Sequence, residues 1–310
     1  MFNMTGRLVR SLCLSGLWLA GASAQVATTA GDPQRVLAGD LTELNARLNA
    51  SRTDGGQVIA DANRLAANYR GLVPYVGRFG PADYTQNRQL ARQTFAWLAH
   101  ASALYASDPA VMQALAGVYG YLGGFYSSPA FSSYPYAAAT AYAGANRLTR
   151  SLLLGDSHNS RLEADLQRLG LAWATASYVG GRFYGDGLPE QAEPPQREAT
   201  AAEIQPVALP DVEVEKLTPE QVGQWREVRE RFVITSARVH ESRVLLEQLA
   251  ARLRSQNMSL NTRDVAAGLM MQGFLDDSAS LMRAGQFELA KEGLVRAEYQ
   301  RRKLKGVTGQ

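Results

Sequence analysis

Apolar residues recur every three or four positions through most of this chain, the period of a helix with one buried face. Alanine and leucine carry that period over 57–70, 87–105, 110–122, 136–154 and 160–179, and each stretch is predicted to be a helix. Alternating runs of β-branched residues, which would predict strands, are missing. The punctuation agrees with helices. Asp108-Pro109 pairs a capping carboxylate with a proline suited to a first turn, while Gly155 and Gly180-Gly181 supply stops.

A second group of helices begins at Thr218-Pro219-Glu220-Gln221, an N-cap hydroxyl with a glutamine three residues on. The helix it opens runs to about Arg254. Trp225, Phe232, Val239, Leu246 and Leu253 fall one heptad apart along it and line up a single stripe for a partner helix. The companion stripe is mixed, since Val228 and Leu249 are apolar but Thr235 and Ser242 are not. That pattern predicts a long helix in a short antiparallel bundle. Its partners are 262–284, with Val265, Leu269, Phe274, Leu275 and Leu281, and 286–304, with Phe287, Ala290, Leu294 and Ala297. Gly285 separates them. The basic run Arg301-Arg302-Lys303-Leu304-Lys305 complements the negative end of the last helix.

Between the two groups the pattern lapses. Pro189, Pro194, Pro195, Pro206 and Pro210 crowd into 188–217, with seven acids against Arg197 and Lys216. Prolines break helices and like charges extend a chain, so 188–217 is expected to be a semi-rigid linker. Ile204, Val207, Leu209, Val212 and Val214 are the positions by which it would dock as an ordered strap instead.

The N-terminus changes the picture of charge and compartment. Arg7 and Arg10 precede a short apolar run around Leu12, Leu14, Leu17, Trp18 and Leu19, followed by Ala22-Ser23-Ala24. This is the layout of a secretory signal peptide over 1–24, with cleavage expected before Gln25. The apolar run is too short to cross a ~30 Å hydrocarbon core as a helix. Cys13, the only cysteine, would leave with it, so no disulfide, thiol nucleophile or thiolate metal site is expected in the mature chain. Losing Arg7 and Arg10 also brings the formal charge of +3 down by two, which removes the main argument for nucleic acid as a partner. A cysteine-free exported chain suits a bacterial periplasm, or secretion, and no later stretch is apolar enough to predict a membrane span.

Three fragments resemble tetratricopeptide repeats. The fullest is Gly285-x-Phe287-x-x-Ala290-x-x-x-Leu294-x-x-Ala297, similar to the turn and second helix of that motif. Leu115-Ala116-x-x-Tyr119-x-x-x-Gly123-x-Phe125 is similar to its first helix and turn. Leu169-Gly170-x-x-Trp173 with Gly181-x-Phe183 is a third, shorter match. No strict period of ~34 residues links them. The resemblance implies a degenerate helical array whose surface binds a peptide or protein.

Candidate chemistry is sparse. Twelve of the thirteen tyrosines lie between Tyr69 and Tyr184, densest around 120–135. Tyr119, Tyr121, Phe125, Tyr126, Tyr134, Tyr136 and Tyr142 are the candidate contacts for a peptide, partner protein or glycan, because a phenol offers an apolar face and a polar tip. The competing expectation is that these rings fill the space between helices. Residues 180–187 are glycine-rich but lack the Gly-Lys-Ser/Thr ending and preceding strand of a phosphate loop. His100, His158 and His240 stand apart, giving no zinc-ligand spacing. Asp156-Ser157-His158 is read as a polar turn in which Asp156 or Ser157 caps the next helix, and Asp276-Asp277 as solvated surface. Met258, Met270, Met271 and Met282 are read as core filler.

The expected protein is therefore all-α: a repeat-like, tyrosine- and glycine-rich helical array over 25–187, then a three-helix bundle with one long helix over 218–310. No cofactor, metal site or catalytic group is expected. The functional expectation is an exported, non-enzymatic interaction or scaffold protein of the bacterial cell envelope. A solute- or glycan-binding module is the alternative, and a cell-wall hydrolase using Glu163, Asp165 or Asp186 a more distant one.

Overall fold

In a chain this rich in alanine and leucine, each helix must bury its stripe against another helix, and the arrangement follows from which stripes meet. The structure is a computed structural model that describes residues 33–50, 54–131, 135–179, 182–183 and 204–304. The signal-peptide expectation, residues 184–187, the first part of the expected linker and Tyr134 lie outside the described residues. Among the described residues there are nine α-helices and one two-residue antiparallel bridge, and the class is all-α.

The first five helices are α1 (Pro33–Leu48), α2 (Gly55–Leu72), α3 (Pro81–Leu104), α4 (Pro109–Tyr126) and α5 (Pro135–Gly155). In α1, Leu37, Leu41, Leu44 and Leu48 make one buried stripe against α2 and α3. The α3 helix starts at Pro81, ahead of the apolar period that predicts it from 87. Pro81 fits the first turn, and the Gly80 N–H donates to the Asp83 carboxylate at 2.8 Å. Asp108 caps α4 as expected, accepting from the Ala110 and Val111 amides.

Then come α6 (Ser160–Ser177), α7 (Pro219–Ser255), α8 (Thr262–Arg283) and α9 (Phe287–Lys303). The predicted helix over 160–179 ends at Ser177, where β1 (Tyr178–Val179) turns back to pair with β2 (Arg182–Phe183). Asn159 caps α6, accepting from the Leu162 amide, and Asp156 accepts in turn from the Asn159 side chain. The polar turn is there, but the cap is one residue past the expected Asp156-Ser157-His158, because Asn159 holds the extended N-cap position.

The capping box of α7 is present in both directions: the Gln221 amide donates to Thr218 and the Thr218 amide to Gln221. Its 37 residues span ~55 Å. Phe232, Val239 and Leu246 are buried, and Val228, Thr235 and Ser242 of the companion stripe are buried too. Small hydroxyl side chains sit where two helices pack closely, so their polarity does not move them to the surface. Gly285, at φ +71°, makes the left-handed turn between α8 and α9, with its own amide and that of Gln286 closing back on Met282 and Leu281.

Two hydrophobic cores result. One gathers α1 to α5; the other gathers α7, α8 and α9 with Leu153 and Leu154 of α5 and Leu166 and Ala174 of α6. The α5 and α6 helices thus belong to both, since Leu148 and Leu169 face the first. The proline-rich stretch separates the two helical groups along the chain but not in packing: α6 lies on α8, with Gly170 under the Met270 sulfur. The described residues form one compact unit.

The linker expectation is corrected over 204–217, which is a strap on the second core. Ile204 and Pro210 are buried, and Val207, Val212 and Leu217 pack against the α7–α9 core. The Ser236 hydroxyl of α7 donates to the Val207 carbonyl at 2.7 Å. Apolar side chains among the acids find grooves on the core, and that docking outweighs the self-repulsion of the acids.

Candidate functional site

The tyrosine cluster is built on the α4–α5 pair. These helices touch so closely because each offers a glycine to the other's tyrosine. The Tyr142 ring lies on Gly123 and the Tyr119 ring on Gly144; a Cβ at either glycine would come within 2.6 Å of ring carbons. Tyr119 is also stacked on Phe95, the centroids 6.1 Å apart and the planes 8° from parallel. Tyr126 packs edge-on against Tyr69, Phe125 and Phe131. Its hydroxyl donates to the Tyr69 hydroxyl at 3.2 Å, and Tyr69 is hydrogen-bonded at 2.9 Å to Thr94. A chain of three hydroxyls is therefore satisfied inside the core, as buried polar groups require.

Most of the candidate contacts are consequently not at a surface. Tyr119 is 3% exposed, Tyr126 2%, and Phe125 and Tyr136 8% each. Burial pushes the Tyr119 phenol up to about 12, with Arg147 opposing the shift. The rings that reach solvent are Tyr121 and Tyr142, both half-buried. The Arg70 guanidinium of α2 stands 5.3 Å from the Tyr121 ring centroid, and burial raises the Tyr121 phenol while Arg70 lowers it. Val73 and Tyr75, in the 3-10 turn that follows Arg70, are exposed at 54% and 44%. The outward part of the cluster is thus Arg70, Tyr121 and Tyr142, with two exposed apolar neighbours that the sequence pattern does not single out.

A second polar constellation lies between the helical groups. Arg150 of α5 is almost wholly buried. Its Nε donates to Asp277 of α8 at 2.7 Å, Nη2 to the other carboxylate oxygen at 3.3 Å, and Nη1 to Asn146 at 2.5 Å. The guanidinium crosses α8 over Gly273, where any Cβ would collide with it, and stands 5.8 Å from the Phe274 ring. Asp276 points elsewhere: it accepts from Gln272, which in turn accepts from Arg243 of α7. The Asp276 side chain reaches solvent, yet the protein around it raises its carboxyl through desolvation. Desolvation also lowers Arg243, against Asp276 and Glu247.

The expectation of a solvated Asp276-Asp277 surface is corrected for Asp277, a half-buried carboxylate that closes an ion pair with the buried Arg150. The ~100° between neighbouring helix positions is what turns Asp277 to Arg150 of α5 and leaves Asp276 beside Gln272 of its own helix. No motif in the sequence marks Arg150. The signal available was Asn146 and Arg150 four apart on the stripe that carries Leu153 and Leu154. The donor directions of Arg150 toward α8 and along α5 are taken, so this seam is suited to holding the two groups together and not to receiving a ligand.

His100 and His158 are exposed and His240 is half-buried, and among the described residues no three histidine, cysteine, aspartate or glutamate side chains gather to hold a metal ion. Met270, Met271 and Met282 are buried and Met258 is exposed. No described helix is long and apolar enough to cross a membrane. Compared with protein-family models, curated proteins and solved structures, the chain gives no match in any of the three.

Proposed function

We propose that this is a non-enzymatic interaction protein, an exported scaffold or adaptor of the bacterial cell envelope that holds a partner protein or peptide on its first helical group. The observation that carries the reading is the outward edge of the tyrosine cluster. Arg70 and Tyr121 are paired at 5.3 Å, Val73 and Tyr75 are exposed in the turn that follows Arg70, and arginine and tyrosine are among the side chains that most often anchor protein interfaces. A half-buried ring held by a guanidinium loses little freedom when a partner covers it. Export rests on the Arg7/Arg10, apolar-run and Ala22-Ser23-Ala24 layout. The resemblance of 285–297 and 115–125 to tetratricopeptide repeats supports the same reading.

The test is affinity capture of the tagged mature chain, from Gln25, from gently crosslinked cell envelope, read by mass spectrometry. One dominant protein that is lost from an Arg70→Ala/Tyr121→Ala variant of unchanged thermal stability supports the proposal. Retention on purified cell-wall material with no protein captured would overturn it in favour of a glycan-binding module.

A further inference from the structure

The outer face of α9 is the other surface whose chemistry is specific. The α7 and α9 helices run in the same direction, as their ion pairs show: Lys291 bonds Glu227 at 2.8 Å, and Arg238 reaches Glu298 at 3.6 Å farther along both helices. Between those pairs the exposed residues include Ile234 at 46% and Val295 at 50%, flanked by Val233 at 52% and Tyr299 at 49%. An apolar centre ringed by charges is the anatomy of an association surface.

The order of the outward residues on α9 says what fits there. Glu288, Lys291, Val295, Tyr299 and Arg302 fall at helical spacing on one stripe, leading outward from the buried Phe287, Ala290, Leu294 and Ala297. Val295 is the midpoint. Seven residues before it stands an acid and seven after it a base; four before it stands a cation and four after it an aromatic ring. Reversing the stripe about Val295 therefore sets Glu288 against Arg302, Lys291 against Tyr299 and Val295 against itself. The end pairing brings opposite charges together and the central one two apolar side chains; at the third, Lys291 already bonds Glu227 and Lys303 already stands 4.4 Å from the Tyr299 ring, so that pairing adds packing and not a new cation at the ring. A twofold axis also opposes the helix dipoles of the two copies.

We infer that a second copy of this chain docks on α9, the two α9 helices antiparallel about a twofold axis at Val295, with Ile234 and Val233 of α7 covering the flanks. Such an isologous contact closes on itself and makes a dimer, not a filament. A stripe ~21 Å long between Glu288 and Arg302 is at the small end of specific interfaces, so the association is reversible and falls in the micromolar range. This goes beyond the adaptor reading and does not rest on it, because the Arg70–Tyr121 edge belongs to a different helical group.

The experiment is sedimentation velocity of the mature chain from about 1 to about 200 µM, a range set by the weak end of interface sizes. A concentration-dependent dimer is expected, and Val295→Glu should weaken it by at least about tenfold by placing two carboxylates face to face at the axis. Glu288→Arg alone sets arginine against arginine, and Arg302→Glu alone sets glutamate against glutamate; both variants should be monomers. Mixed together they should recover the dimer, since each supplies the charge the other lacks. That recovery also shows both variants are folded. A chain monomeric at every concentration overturns the inference. So does a dimer that the two charge reversals leave intact, or one that mixing fails to restore. Failure of envelope capture, by contrast, bears only on the adaptor reading.

Discussion

Replacing Gly144 with alanine isolates the contact that sets the α4–α5 spacing. On an open helix surface this change is favourable by about 0.5–1 kcal/mol, because alanine loses less backbone freedom on folding. At Gly144 the new methyl would sit 2.6–2.8 Å from three carbons of the Tyr119 ring. That ring cannot step aside, being stacked on Phe95 and 3% exposed, so the helices must separate or the ring must leave its rotamer. Overpacking of this kind costs about 1–3 kcal/mol, and a clash with a locked ring belongs at the upper end. The net expectation is a loss of about 1–2 kcal/mol, read as a lower urea midpoint by far-UV circular dichroism. Gly123→Ala meets Tyr142 at the same distance, but that ring is half-buried and yields more easily, so its loss should be smaller. Gly117, an exposed position on α4 where an added methyl would meet nothing within 4 Å, is the control and should gain stability. Tyr119→Leu in the Gly144→Ala background should recover part of the loss. If Gly144→Ala proves as stable as Gly117→Ala, the glycine–tyrosine account of this helix pair is wrong.

Asp277→Ala strands the buried Arg150 and should cost about 2–3 kcal/mol, reduced from the buried-pair range because Asp277 keeps some solvent contact; the apolar pair Arg150→Met/Asp277→Leu should return most of it in the same urea assay. Tyr119 holds its proton more tightly folded than unfolded, so the stability tied to it is complete below pH 10 and is lost as pH rises toward about 12; wild type should lose on the order of 2–3 kcal/mol more than Tyr119→Phe across that window, measured by urea midpoints at each pH. Thr218→Ala removes one arm of the α7 capping box and should cost about 1 kcal/mol locally, seen as several-fold faster amide exchange in the first turn of α7 with α8 and α9 unchanged.

Helix type and most helix starts were legible because they depend on neighbours in sequence. Thr218 and Gln221 cap each other across three residues, Asp108 caps the amides just after it, and Gly285 turns the chain where a left-handed residue is needed. The candidate site was legible only as composition. Tyrosine density marks the α4–α5 pair, but which rings face out depends on where Gly123 and Gly144 let the helices close. That leaves Tyr121 and Tyr142 toward solvent and seals Tyr119 and Tyr126 inside.

The sequence by itself determined the all-α class, the reach of the long helix, the caps at Asp108 and Thr218 and the turn at Gly285. Those are properties of spacing along one strand of covalent bonds. Only the tertiary structure decided that α6 packs on α8, that 204–217 is a strap, and that Arg150 finds Asp277 more than a hundred residues away. Local periodicity says that a face must be covered but not by what. The cover is chosen by close approach at glycines and by buried charges needing a partner, and both depend on residues that only the fold brings together.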